Sequence, residues 1–104
     1  MCSPTFEQWL SEAAAAGRPL KEQEVCAAYL YHYHKNGLPA EQEAIYQQSW
    51  RKLGGGAWYD RFLNQRINCA GCGEYYRREN LGMCYDCLVE LCGRCGRQPH
   101  RLYL

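Results

Sequence analysis

Apolar residues in the first half of the chain recur with helical spacing. Four of them occupy positions i, i+3, i+4 and i+7 of one segment: Phe6, Trp9, Leu10 and Ala13. This spacing places them on one face of a helix. Ser3-Pro4-Thr5 is a typical helix start, and Gly17 is a typical stop. The pattern therefore predicts a short amphipathic helix near the N-terminus.

The next segment, from about Leu20 to Asn36, follows the same logic. Its apolar stripe consists of Cys26, Tyr29, Leu30 and Tyr33, and Gly37 stands where the helix would end. Residues 29–34 also alternate as a strand does, so a strand is the alternative for this stretch.

Pro39 opens a third helical pattern that extends to about Leu53. Its inward-facing residues are Ile45, Tyr46, Trp50 and Leu53. The preceding turn is short enough for a helical hairpin. Gly54–Gly56 ends this helix, and residues 57–63 begin a further helical turn. We therefore expect a mainly α fold, in which residues 1–66 form a small bundle of three to four helices.

The last third of the chain is dominated by cysteine. Six of the eight cysteines form three Cys-x-x-Cys pairs, which are Cys69/Cys72, Cys84/Cys87 and Cys92/Cys95. The two-residue gap lets both sulfurs of a pair bind one ion, and two pairs complete the tetrahedral thiolate set of a structural zinc site. Gly73 and Gly96 follow the first and third pairs and suit a tight turn with positive φ. Residues 67–104 are therefore predicted to form a zinc-binding module.

The pairing of the cysteines has two solutions. The preferred one joins Cys69/Cys72 to Cys84/Cys87 and leaves Cys92, Cys95 and His100 as three ligands of a second zinc site. The fourth ligand of that second site would be Cys2, Cys26, His32, His34 or water. The alternative joins Cys69/Cys72 to Cys92/Cys95, because both pairs precede a glycine, and leaves Cys84/Cys87 spare. We expect one zinc ion per chain, or two.

The segment Cys69-Ala-Gly-Cys72-Gly73 followed by Cys84-Tyr-Asp-Cys87 resembles a zinc-ribbon or treble-clef finger. The treble-clef resemblance implies a knuckle at the first pair and a β-hairpin from Glu74 to Met83. It also implies a helix whose first turn carries Cys84 and Cys87, where unpaired backbone N–H groups stabilise thiolates.

A helical hairpin followed by Cys-x-x-Cys-Gly and a second Cys-x-x-Cys also resembles the DksA/TraR regulators of RNA polymerase. The gap between the pairs is shorter here, and the hairpin is too short for the long coiled coil of that family. This resemblance implies a transcription regulator associated with RNA polymerase as an alternative function.

Length and composition indicate the size of the folded unit and the cellular compartment. With 104 residues, of which 47% are apolar, the chain has the size of one compact unit. It has neither a basic start followed by an apolar run nor eighteen consecutive apolar residues, so we expect a cytoplasmic protein without membrane attachment. In a reducing cytosol, cysteines are metal ligands or thiols rather than disulfides.

Charge does not decide the partner. Residues 61–104 contain seven arginines against four acidic residues, whereas residues 1–60 have an acidic excess. Four thiolates around one Zn²⁺ carry a net charge of about −2, which removes most of the basic surplus. Nucleic-acid binding therefore cannot be inferred from charge alone.

Tyrosines and arginines flank the cysteine pairs and are the candidate partner-binding residues. They are Tyr75, Tyr76, Arg77, Arg78, Arg94, Arg97 and Arg101. Such side chains recognise proteins, and they also stack on bases and contact phosphate. The structural alternative is that Tyr75 packs beneath the finger while the arginines are solvated or pair with Glu74, Glu79 and Glu90.

No nucleophile–base arrangement or phosphate-binding loop is recognisable, and a four-thiolate site has no open position for substrate, so we expect no enzyme. The leading prediction is a non-catalytic zinc-finger adaptor or regulator that binds another protein. A nucleic-acid-binding transcription regulator is the first alternative. The second is a thiol redox switch that releases zinc on oxidation.

Overall fold

The computed structural model describes residues 4–97 and places helices first and two small β-hairpins after them. The helices are α1 (Phe6–Ala16), α2 (Glu22–Lys35), α3 (Ala40–Leu53) and α4 (Gly55–Leu63). The strands are β1 (Arg66–Asn68), β2 (Tyr75–Arg77), β3 (Gly82–Met83) and β4 (Glu90–Leu91), with 3-10 turns at Arg78–Asn80 and Cys95–Arg97. The predicted mainly α class is confirmed.

Helix α1 forms as its sequence predicts. Its N-terminus carries a reciprocal cap, in which Gln8 N–H donates to Thr5 Oγ1 at 3.3 Å and Thr5 N–H donates to Gln8 Oε1 at 2.8 Å. Gly17 ends the helix in the left-handed conformation, with φ 65°. The predicted apolar stripe is buried in full, at Phe6, Trp9, Leu10 and Ala13.

Segment 22–35 is a helix and not a strand, but its buried face differs from the predicted stripe. The fully buried residues lie together in its first half, at Val25, Cys26, Ala27 and Ala28. Tyr33 in the last turn is 71% exposed, so the prediction that it faces the core is wrong. The αL residue at the end is Asn36, with φ 61°, one position before the expected glycine. Asparagine tolerates this conformation better than most residues.

An aromatic cluster joins α2, α3 and α4. The Trp50 ring lies 5.6 Å from Tyr29, 5.8 Å from Trp58 and 5.6 Å from Tyr59, measured between ring centroids. Helix α4 begins at Gly55, two residues earlier than the sequence predicted, because Gly54 and Gly55 together make the turn, with φ 121° and 64°. The short link keeps these aromatic rings within packing distance.

The two hairpins differ from the predicted finger. Strand β2 pairs with β1, with Ile67 opposite Tyr76, and β3 pairs with β4, with Met83 opposite Glu90. The predicted hairpin from Glu74 to Met83 is therefore wrong. The predicted helix at Cys84 is wrong as well, because residues 84–89 form the turn that connects β3 to β4.

The second hairpin packs against the helices. Met83 and Tyr85 belong to the same buried cluster as the helical core. The indole Nε1 of Trp9 donates to the carbonyl oxygen of Tyr85 at 3.0 Å, and Phe6 N–H donates to Asp86 Oδ1 at 2.6 Å. The proposed boundary between residues 1–66 and 67–104 stays a prediction, and these contacts cross it.

A buried ion pair connects the 3-10 turn after β2 to strand β4. Arg78 Nε donates to Glu90 Oε1 at 2.8 Å, and Arg78 Nη1 donates to Gln65 Oε1 at 2.6 Å. The same guanidinium lies 3.9 Å from the centroid of the Phe62 ring. Both charged side chains are buried, so each depends on the other to compensate for lost solvation.

Replacing Arg78 should therefore be far more damaging than replacing its neighbour. We expect Arg78→Ala to lower the free energy of unfolding by about 3 kcal/mol, because Glu90 would be left buried without its partner. Arg77 forms an exposed ion pair with Glu79, so Arg77→Ala should cost less than about 1 kcal/mol. Urea unfolding of both variants is the measurement, and equal losses would contradict the interpretation.

Candidate metal centre

Two turns that follow β-strands bring four cysteines together. Strand β1 ends at Asn68, so Cys69 opens the turn toward β2, and β4 ends at Leu91, so Cys92 opens the final turn. The four sulfur atoms of Cys69, Cys72, Cys92 and Cys95 all lie within 4.8 Å of one another. Four thiolates at this separation fit the tetrahedral coordination of a divalent metal ion.

This arrangement is the alternative pairing rather than the preferred one. Ala70 N–H donates to the carbonyl oxygen of Glu90 at 3.0 Å, which joins the first turn to the strand that precedes Cys92. Cys84 and Cys87 lie on the connecting turn of the β3–β4 hairpin, whereas Cys92 follows its open end. They are therefore not part of the four-sulfur cluster.

The predicted second site at Cys92, Cys95 and His100 is also corrected. The sulfurs of Cys92 and Cys95 lie in one cluster with those of Cys69 and Cys72, so the structure does not place them in a separate site. His100 lies outside the described residues.

Backbone N–H groups converge on the sulfur of Cys69. The backbone N–H groups of Gly71 and Cys92 both donate to Cys69 Sγ, each with an N–S distance of 3.3 Å. Burial raises the pKa of Cys69, but backbone donors from Cys72, Cys92 and Gly71 outweigh that effect and lower its pKa to about 6. The cluster thus stabilises a thiolate even though Cys69 is only 1% exposed.

The other thiols of the cluster respond to one another. The backbone N–H of Cys95 lowers the pKa of Cys92, while the hydrogen bond to Cys92 raises the pKa of Cys95 to about 12. Cysteine binds a metal ion as the thiolate, so metal binding should release protons and weaken as pH falls.

Gly71 is a site residue that the sequence analysis did not identify. A Cβ atom at this position would lie 2.7 Å from Cys95 Cβ and 2.8 Å from Cys95 Sγ, which is too close for any side chain. Its position inside the Cys-Ala-Gly-Cys turn is the sequence signal. Gly73, which the sequence did indicate, has φ 77° and donates its N–H to the carbonyl oxygen of Cys69 at 2.9 Å.

The predicted partner-binding residues take different positions. Tyr75 is 66% exposed. The half-buried Tyr76 instead packs against the buried apolar cluster of the module, which is Cys69, Leu81, Leu91 and Cys92. Arg77 pairs with Glu79, and Arg78 is buried against Glu90, so the expected pairing of arginines with these acids is observed. Arg78 therefore does not contribute to an exposed surface.

At the other end of the module, Arg94 is exposed, and a hydrogen bond to Tyr76 raises its pKa. The structure does not describe the side chain of Arg97 or any part of Arg101.

Comparison with protein-family models, curated proteins and solved structures finds no significant match to this chain. Within residues 4–97, no helix combines the length and apolar character that crossing a membrane would require.

Removing one ligand should remove one ion. We expect Cys72→Ser to bind one metal ion fewer per chain than the unmodified protein, because three thiolates hold a structural ion far less tightly than four. Cys26→Ala should keep the full content, since Cys26 is buried among the helices and is not in the cluster. Elemental analysis gives the content, and circular dichroism checks that helices persist. Unchanged content in Cys72→Ser would contradict the site.

Glycine 71 provides a more specific test. The methyl group of Gly71→Ala would displace Cys95, so we expect metal affinity to fall about tenfold or more. Gly93 lies between Cys92 and Cys95 but has no atom within 4 Å of an added Cβ, so Gly93→Ala is the matched control. Competition with a chromophoric chelator measures both variants. A similar loss of affinity in the two would mean that the close approach at Gly71 is unimportant.

Proposed function

We propose that this chain is a non-catalytic zinc-finger protein, an adaptor or regulator that binds another protein through the outer face of the β1–β2 hairpin. Zinc is the ion that four cysteine thiolates most often hold in structural sites. Such an ion has all four positions filled by protein, so its role here is to fix the hairpin. The observation that carries the proposal is the exposed Tyr75 on that hairpin.

The outer face follows from the strand register. Residues opposite each other in an antiparallel pair share a face, so Asn68 lies beside Tyr75, and Arg66 lies beside Arg77. All four are exposed, whereas Ile67 and Tyr76 between them turn inward. A large aromatic ring next to guanidinium and amide groups is a typical composition of a protein-binding surface.

Charge favours a protein over a nucleic acid as the partner. Nucleic-acid surfaces present several cations that neutralise phosphates. On this hairpin Arg77 is paired with Glu79 at 2.8 Å, and Arg78 is buried, which leaves Arg66 without an ion pair among the described residues. The thiolate cluster adds negative charge at the end of the same hairpin. The remaining surface suits a partner with apolar and acidic groups.

The proposal predicts which tyrosine matters. In capture experiments from the native host, Tyr75→Ala should weaken partner binding about 30-fold, as loss of a central aromatic contact does. Tyr33→Ala is the matched control, because Tyr33 is equally exposed but lies on α2. Each capture is carried out with and without nuclease. The captured partner is then purified, and its affinity for each variant is measured by titration.

Three outcomes would contradict the proposal. Capture that disappears on nuclease treatment and weakens steeply with salt would identify nucleic acid as the ligand. Equal losses in Tyr33→Ala and Tyr75→Ala would place the binding surface elsewhere. Unchanged affinity in Tyr75→Ala would remove the hairpin face from the interface.

A further inference from the structure

The turn from Cys84 to Val89 repeats the geometry of the metal-binding turn from Cys69 to Glu74. Each turn connects two paired antiparallel strands. In the first, Cys69 N–H donates to the carbonyl oxygen of Glu74 at 2.8 Å. In the second, Cys84 N–H donates to that of Val89 at 3.0 Å. The two turns therefore close with the same residue spacing.

A second hydrogen bond is also repeated. The residue after the second cysteine donates its N–H to the carbonyl oxygen of the first cysteine. This bond is 2.9 Å long from Gly73 to Cys69 and 2.8 Å from Leu88 to Cys84. It is found again from Gly96 to Cys92, at 2.9 Å. All three Cys-x-x-Cys pairs thus close with the same backbone hydrogen bond.

Leu88 adopts the backbone conformation that Gly73 has in the first turn. Its φ is 64°, against 77° for Gly73. Leucine avoids this region because its Cβ approaches the following carbonyl oxygen. Among the described residues, Asn36 is the one other non-glycine with positive φ. The fold therefore holds Cys84 and Cys87 in a knuckle against the local preference of the chain.

The three pairs also agree in which of their two cysteines is the more exposed. The first cysteine of each pair is buried, with Cys69 at 1%, Cys84 at 6% and Cys92 at 5% exposure. The second cysteine is nearer the surface, since Cys72 and Cys87 are exposed and Cys95 is half-buried. In the two pairs of the four-sulfur cluster, this turn directs both sulfurs at one point.

We propose that Cys84 and Cys87 are ligands of a second metal ion, a thiolate-binding divalent ion such as Zn²⁺, distinct from the ion of the four-sulfur cluster. Within residues 4–97, these two sulfurs do not belong to a group of three or more close ligands. Further donors complete its four-coordinate shell.

The position of this knuckle gives the second ion a structural role. The two residues between the cysteines contact α1, because Tyr85 accepts a hydrogen bond from the Trp9 indole and Asp86 accepts one from Phe6 N–H. An ion held by Cys84 and Cys87 would fix these acceptors in place. It would thereby fasten the start of α1 to the second hairpin.

The number of bound ions tests the proposal directly. Native mass spectrometry of the full-length protein, purified and then equilibrated with zinc, should show two ions per chain. The double variant Cys84→Ser/Cys87→Ser should bind one, and so should Cys69→Ser/Cys92→Ser, whereas Cys26→Ala should keep two. A single ion in the unmodified protein, or an unchanged count in Cys84→Ser/Cys87→Ser, would overturn the second site.

Alkylation of the unmodified protein gives an answer that does not depend on the folding of any variant. With zinc bound, Cys87 should resist iodoacetamide although it is exposed, and chelation should restore its reactivity at least tenfold. Cys72, also exposed and in the first site, is the internal reference. If Cys87 is alkylated equally fast before and after chelation while Cys72 is protected, it is not a metal ligand and the proposal fails.

Discussion

The last third of this molecule is organised by the requirement that four sulfur atoms meet within 4.8 Å. Thiolates at that distance repel one another unless a cation lies between them, and backbone N–H groups offset only part of the charge. The β1–β2 turn, the final turn after β4 and the glycine at position 71 all serve this one geometry. The hairpin face that carries Tyr75 is positioned as a consequence.

The helices were predictable because their information is local. The stripe of α1 and the glycine that ends it lie within twelve residues of sequence, and both are observed. The periodicity of α2 also gave the correct element, but Tyr33 is exposed, because periodicity does not reveal where neighbouring helices end. The helix start at Gly55 was missed because glycine is usually a helix stop, and here the second of the two turn glycines also begins the next helix.

The cysteine cluster was predictable in its residue type but not in its pairing. Cysteine spacing identifies pairs, and every pair has the same spacing. Which pairs share an ion depends on strand register, and strands of two or three residues leave almost no periodic signal. The hydrogen bond from Ala70 to Glu90 brings the third pair to the first, and the sequence contains no local sign of it. The pairing of Arg78 with Glu90 also joins residues of different elements, so the sequence predicted it only as one of several possible ion pairs.

An ion shared by Cys69 and Cys92 would have a consequence for the unfolded chain. These residues are 23 positions apart, and the segment between them contains β2, β3, the turn at Cys84 and β4. An ion that binds both ends acts as a cross-link that closes this loop, as a disulfide would. On the loop-entropy relation for disulfides, a closure of this length is worth about 3 kcal/mol. This segment has only very short strands. Much of its stability would then come from the lower conformational entropy of the cross-linked unfolded chain rather than from contacts in the folded state.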